Sequence, residues 1–154
     1  MRAACWCHDG RVEQSKTVDI AADPTRVWEV VADVERWSEW SETVTVARRL
    51  DDGPLRPGAR TQLKQPRLPT GIWTVTELEP GQSFTWVQTG PGLSTVGRHE
   101  LDPLPGGGTR VRLTIDQRGL LGAVVGRLYA GLTDRYLALE AAGLKAECEG
   151  GAVA

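Results

Sequence analysis

Cysteine is scarce in this chain: among 154 residues only Cys5, Cys7 and Cys148 occur, an odd number placed near the two ends. That is no disulfide framework, and it fits a reducing compartment. Long apolar runs are missing as well. Nothing approaches the roughly 20 residues of a membrane span, and no leader-type apolar stretch opens the sequence. Blocks of like charge are absent, since 18 basic and 20 acidic residues are spread along the chain to a net charge of -2. Neither nucleic acid nor a stable membrane association is therefore expected. Together these absences predict a cytoplasmic protein.

Catalytic signatures are just as sparse. Cys5-Trp6-Cys7-His8 offers thiolates and an imidazole, but structural zinc sites space paired cysteines by about two to four residues and need a fourth ligand. No metal is expected there, and the segment reads as a tail. Pro105-Gly106-Gly107-Gly108 is not followed by a helical pattern, so it does not cradle a phosphate. Ser38 and Ser41 have neither an elbow motif nor a base partner. No cofactor and no activated nucleophile are expected.

What is present is enough apolar sequence for one core and a regular punctuation by proline and glycine. Arg11 to Ile20 reads as a first strand. Asp23 and Pro24 then mark a helix start, with Val27, Val30, Val31 and Val34 at helical spacing, and a second short helix is expected to end near Trp40. Six further strands are predicted near 43–51, 59–65, 71–79, 82–89, 93–101 and 109–117, separated by turns such as Pro80-Gly81 and Gly90-Pro91-Gly92. From Leu120 to about Glu147 a stripe of Leu121, Val125, Leu128, Leu132, Tyr136 and Leu139 predicts one helix of roughly 40 Å. The fold class is α+β, with residues 1–10 a flexible tail, 11–148 one domain and 149–154 a second tail.

Strand alternation assigns faces. Trp73, Val75 and Glu77, then Phe84, Trp86 and Gln88, then Gly97, His99 and Leu101, then Val111, Leu113 and Ile115 share one mostly apolar face. The short turn at Pro80-Gly81 predicts Glu77 opposite Phe84 and Val75 opposite Trp86. Extending these rows puts His99 beside Phe84 and Leu113, and Gly97 beside Trp86 and Ile115, with Gly97 leaving a vacancy. An imidazole is the side-chain type best suited to proton transfer at physiological pH, so His99 is the candidate general acid or base, with Glu77 to orient it; the plain alternative is a histidine that only satisfies itself at a pocket edge.

Ala22-Asp23-Pro24 followed by Val27-Trp28, the Asp33, Trp37 and Trp40 spacing, Gly71 to Pro80, Gly107-Gly108-Thr109-Arg110-Val111 and the long last helix resemble the START-like, helix-grip superfamily (SRPBCC), most of all its polyketide cyclase/dehydrase and lipid-transport branch. The resemblance implies a curved seven-stranded antiparallel sheet gripping the C-terminal helix, with two short helices after strand one and a hydrophobic cavity between sheet and helix. It implies a small hydrophobic ligand, a lipid, polyketide or isoprenoid-like molecule, held by Trp37, Trp40, Trp73, Val75, Phe84 and Trp86, by Gln88, Gly97, His99 and Leu113, and by Leu128, Leu132 and Tyr136 of the helix. Trp28 is expected to anchor the first helix in the core. Similar aromatase/cyclases direct arginines into the cavity; Glu79 and Trp86 stand at those positions here, so binding is expected ahead of cyclisation. Two other functions follow from the resemblance: a metal-free cyclase or dehydratase using His99, and a protein-interaction or chaperone-associated module.

Overall fold

The computed structural model describes residues 6–8 and 11–150. Asp23 opens the first helix, α1 (Pro24–Ala32): its carboxylate accepts a hydrogen bond from the Thr25 N–H at 2.8 Å, and Pro24 takes the first turn, where no N–H is needed. Val27, Val30 and Val31 form the buried stripe of α1. Val34–Arg36 makes a single 3-10 turn, and α2 (Trp37–Trp40) follows directly.

The strands are β1 (Trp6–His8), β2 (Arg11–Ile20), β3 (Val46–Arg49), β4 (Arg60–Lys64), β5 (Gly71–Glu79), β6 (Ser83–Gly90), β7 (Leu93–Pro103) and β8 (Thr109–Arg118). They form one antiparallel sheet in the order β1-β2-β8-β7-β6-β5-β4-β3. The seven expected strands are all there, and β1 adds an eighth. Part of the segment expected as a tail thus pairs with Arg11–Glu13, covering backbone groups that would otherwise stay open at the edge of β2; the rest of residues 1–10, and residues 151–154, lie outside the described residues. The connection through α1 and α2 carries the chain from one end of the sheet to the other, since β2 and β3 lie near opposite edges.

Most of the predicted register is observed: Val75 faces Trp86, Phe84 faces His99, Trp86 faces Gly97, His99 faces Leu113 and Gly97 faces Ile115. Glu77 is the exception. A bulge between Val75 and Glu77 inserts one residue, so Glu77 pairs with Thr85 and Leu78 takes the place opposite Phe84. Because side chains alternate with period two, one inserted residue reverses the faces beyond it. Glu77 is exposed on the outer face and Leu78 packs against the core.

The predicted last helix is two helices, α3 (Gly122–Leu128) and α4 (Ala130–Gly150), with a break at Tyr129. Glycine explains how α3 docks: a Cβ at Gly126 would lie 2.6 Å from the Cβ of Val12 on β2, so only a bare backbone comes this close. With Gly122 and Gly126 facing inward, Leu128 turns out to solvent, 76% exposed. In α4 the buried stripe is Leu137, Ala141, Leu144 and Cys148, rotated from the one that periodicity suggested. These residues close the core with α1, Trp37, Phe84, Trp86 and Leu113.

The outer face holds a buried charge that alternation alone does not flag. Asp116 is fully buried on β8 under three arginines, accepting from Arg11 Nε at 2.8 Å, Arg118 Nε at 2.7 Å and Arg98 Nη2 at 3.4 Å. Three guanidinium groups compensate a carboxylate that would be costly to bury alone.

Candidate functional site

Between the sheet and α4 lies a cavity of about 390 Å³, within the roughly 300–1,000 Å³ range of small-molecule sites. Leu63, Trp73 and Ile115 wall it from the sheet, and Leu132, Leu137 and Tyr136 from the helix. Gln88, Thr95, Gln117, Thr133 and Glu140 place polar groups around this apolar lining. Leu68, Pro69, Leu93, Val125 and Tyr129 also border it. Tyr136 donates its hydroxyl proton to the carbonyl of Pro66, tying α4 to the loop after β4.

Farther in, a chamber of about 40 Å³ adjoins the cavity, with Leu63, Gln65, Trp73, Ile115, Leu137 and Glu140 lining both. It has room for about one water molecule. Trp37, Trp86, Gly97, His99 and Leu113 complete its wall. The vacancy expected at Gly97 is taken up by the Trp86 ring: a Cβ at Gly97 would meet Trp86 Nε1 at 2.8 Å. Gly97 therefore serves to seat the indole.

The sequence-predicted residues divide by place. Trp73, Gln88, Leu132 and Tyr136 line the main cavity, and Trp37, Trp86, Gly97, His99 and Leu113 the inner chamber. Val75 and Phe84 are each 1% exposed in the core behind. Trp40 lies outside both spaces, half-buried with its ring centroid 5.8 Å from that of Trp37. Leu128 and Glu77 face solvent, which removes both from the cavity wall. Trp28 packs on the core, its ring edge-on to Phe84 at 6.4 Å.

His99 is enclosed by aromatic rings. Its ring stacks on Phe84 at 4.2 Å and 13°, and Trp37 and Trp86 flank it at 5.3 and 5.7 Å. The residue is 5% exposed, and its Nδ1 has no hydrogen-bond partner. Nε2 lies 3.6 Å from Glu140 Oε1, longer than a hydrogen bond but short enough for an ion pair when the imidazole is protonated. A hydroxyl or water entering the inner chamber could bond to this pair and exchange a proton with it. Glu140 was not legible as a site residue, because a glutamate in an amphipathic helix reads as solvent-facing until the rotation of α4 is known. The i, i+4, i+7, i+11 spacing of Leu137, Ala141, Leu144 and Cys148 was the signal that could have placed it.

Among the described residues no three His, Cys, Asp or Glu side chains group as metal ligands; the side chains of Cys5, Cys7 and His8 lie outside them. No described helix is long and apolar enough to cross a membrane.

Comparison with known proteins adds family and fold. The family model described as polyketide cyclase/dehydrase and lipid transport matches residues 11–149. The Zhui aromatase/cyclase from a Streptomyces species superposes with a TM-score of 0.76 at 20% identity, over 94% of this chain and 97% of that one. A START superfamily protein from Mycobacterium smegmatis gives 0.70 at 21% identity, over 90% and 97%. A hypothetical protein from Helicobacter pylori gives 0.75 at 15% identity, over 87% and 86%. At such identities these likenesses establish the fold alone. No curated protein matches the sequence.

Proposed function

The chain belongs to the polyketide cyclase/dehydrase and lipid transport family, and from that premise we propose that it binds a small hydrophobic molecule, lipid, polyketide or isoprenoid-like, in the cavity between sheet and α4. The observation that carries this is the cavity of about 390 Å³, whose apolar walls of Leu63, Trp73, Ile115, Leu132 and Leu137 are interrupted by a few polar groups. That combination suits an elongated apolar ligand with a limited number of hydrogen-bonding atoms. A naphthalene sulfonate probe should bind, gain fluorescence and quench Trp73. Leu132→Trp, which fills the cavity from a half-buried position, should abolish the probe signal with the circular dichroism spectrum unchanged. Probe binding untouched by that substitution would sink the reading.

One observation favours a second reading, that the same cavity performs acid–base chemistry on a polyketide-like substrate. It is the placement of Glu140 within 3.6 Å of His99, together with the aromatase/cyclase named among the structural neighbours. A buried imidazole beside a carboxylate has the chemistry to carry a proton in enolisation or loss of water.

A further inference from the structure

Three polar side chains of the cavity form a row. Gln88, Thr95 and Gln117 stand on three adjacent strands, Gln88 opposite Thr95 and Thr95 opposite Gln117, and all three line the main cavity. Neighbouring strands lie about 4.8 Å apart, so the row presents two amides and a hydroxyl across roughly 10 Å. Gln117 is 8% exposed, and among the described residues none of the three side chains has a hydrogen-bond partner. Gln14 on β2 is by contrast engaged, its amide donating to the carbonyl of Ala130 at 3.0 Å. The next row inward, Trp86, Gly97 and Ile115, is apolar, and the one after it brings His99 to Glu140. Thr95 and His99 share one face of β7 four residues apart, roughly 13 Å at about 3.3 Å per residue. Among the described residues that line the main cavity there is no lysine or arginine, and Glu140 is the one carboxylate. Arg98 borders the inner chamber but aims its guanidinium at Asp116 on the outer face.

We propose that the cavity selects an elongated, uncharged ligand with an oxygen function at each end, one hydroxyl or ketone meeting the row of Gln88, Thr95 and Gln117 and the other entering the inner chamber between His99 and Glu140. This rests on the binding reading above and adds to it the length and polarity of the ligand. Amides and a hydroxyl both donate and accept, which suits a hydroxyl or carbonyl group. Covered by a purely apolar ligand, the same three side chains would lose their hydrogen bonds to water and gain none. The inner chamber, with room for about one water-sized group, admits a terminal oxygen. A carboxylate there would be larger and would lie beside Glu140 with no lysine or arginine to compensate it. The apolar row between the two ends matches a hydrocarbon body.

The test displaces naphthalene sulfonate, whose single charge can stay in solvent at the mouth, from the full chain with 1,10-decanediol, 1-decanol and decanedioate. Apolar burial alone ranks the alcohol ahead of the diol. The wild type should instead release the probe at no higher a concentration of diol than of alcohol, and decanedioate should need at least about ten times more. Gln88→Leu combined with Thr95→Val should shift the ratio of diol to alcohol by about tenfold toward the alcohol, the worth of one or two hydrogen bonds. Glu140→Leu should shift it the same way from the other end. The ratio within each variant is the readout, so a change in overall affinity does not affect it, and Thr95→Val alone repeats the test if the double variant does not fold. Alcohol ahead of diol in the wild type, a ratio unmoved by the substitutions, or decanedioate equal to the diol would overturn the inference while leaving the cavity reading intact. A probe that does not bind, or that none of the three chains displaces, would overturn both.

Discussion

Glu140 reaches across the inner chamber to His99, its Oε1 3.6 Å from the imidazole Nε2, from an element more than 40 residues later in the chain. The two meet because α4 turns Leu137, Ala141 and Leu144 into the core, which leaves position 140 facing the sheet where β7 presents His99. This pair, and not His99 with Glu77, is the ionisable centre of the cavity.

Substitution at the pair separates carrier from enzyme. If the cavity only holds a ligand, Glu140→Leu should tighten binding of an apolar probe, since a carboxylate no longer has to be desolvated on closure; His99→Phe should preserve it. If the pair moves protons, Glu140→Gln and His99→Phe should each leave binding within a few-fold and lower turnover of a polyketide-like substrate by roughly 10²–10⁴. Glu77→Gln, on the outer face, should alter neither binding nor turnover. Titration of the probe and product detection by mass spectrometry read these outcomes, and an effect of Glu77→Gln would contradict the bulge.

Two glycines of α4 should respond to alanine with opposite signs. A Cβ at Gly143 would stand 2.4 Å from the carbonyl oxygen of Trp40, which is backbone and cannot swing aside. Its overpacking cost of about 1–3 kcal/mol should outweigh the up to about 1 kcal/mol that alanine gains in helix propensity. At Gly131 nothing lies within 4 Å of the added carbon, so Gly131→Ala should stabilise by about 0.5–1 kcal/mol. The midpoints of urea denaturation should move down for the first and up for the second. Equal shifts would mean that α4 does not rest on Trp40.

Cys148 links stability to alkaline pH. Burial pushes its thiol up from 9.0 to about 11 in the folded protein. Between those values the unfolded chain releases the proton and the folded chain keeps it, so stability should fall as pH rises through that window. Cys148→Ala should remove that part of the loss, measured as denaturation midpoints at either end of the window. Iodoacetamide should label Cys148 slowly in the native protein and rapidly in urea, as followed by peptide mapping. Fast native labelling would place the thiol at the surface.

Sequence alone determined the local frame. Asp23 and Pro24 start α1 because a cap and a fixed φ act within a few residues, and the Pro80-Gly81 and Gly90-Pro91-Gly92 turns hold the strands closely enough that Trp86, Gly97 and Ile115 line up in a row, as do Phe84, His99 and Leu113. The tertiary structure decided what period and propensity leave open. A single inserted residue after Val75 sent Glu77 outward, and no composition signal marks where a bulge falls. The rotation of α4, and with it the choice of Glu140 over Leu128 as a cavity neighbour, depended on how closely backbones can approach: Gly126 against Val12 and Gly143 against Trp40 fix which faces turn inward. A helix carrying two apolar stripes of similar strength is set by such contacts, which lie far apart in sequence and exist only once the sheet has formed.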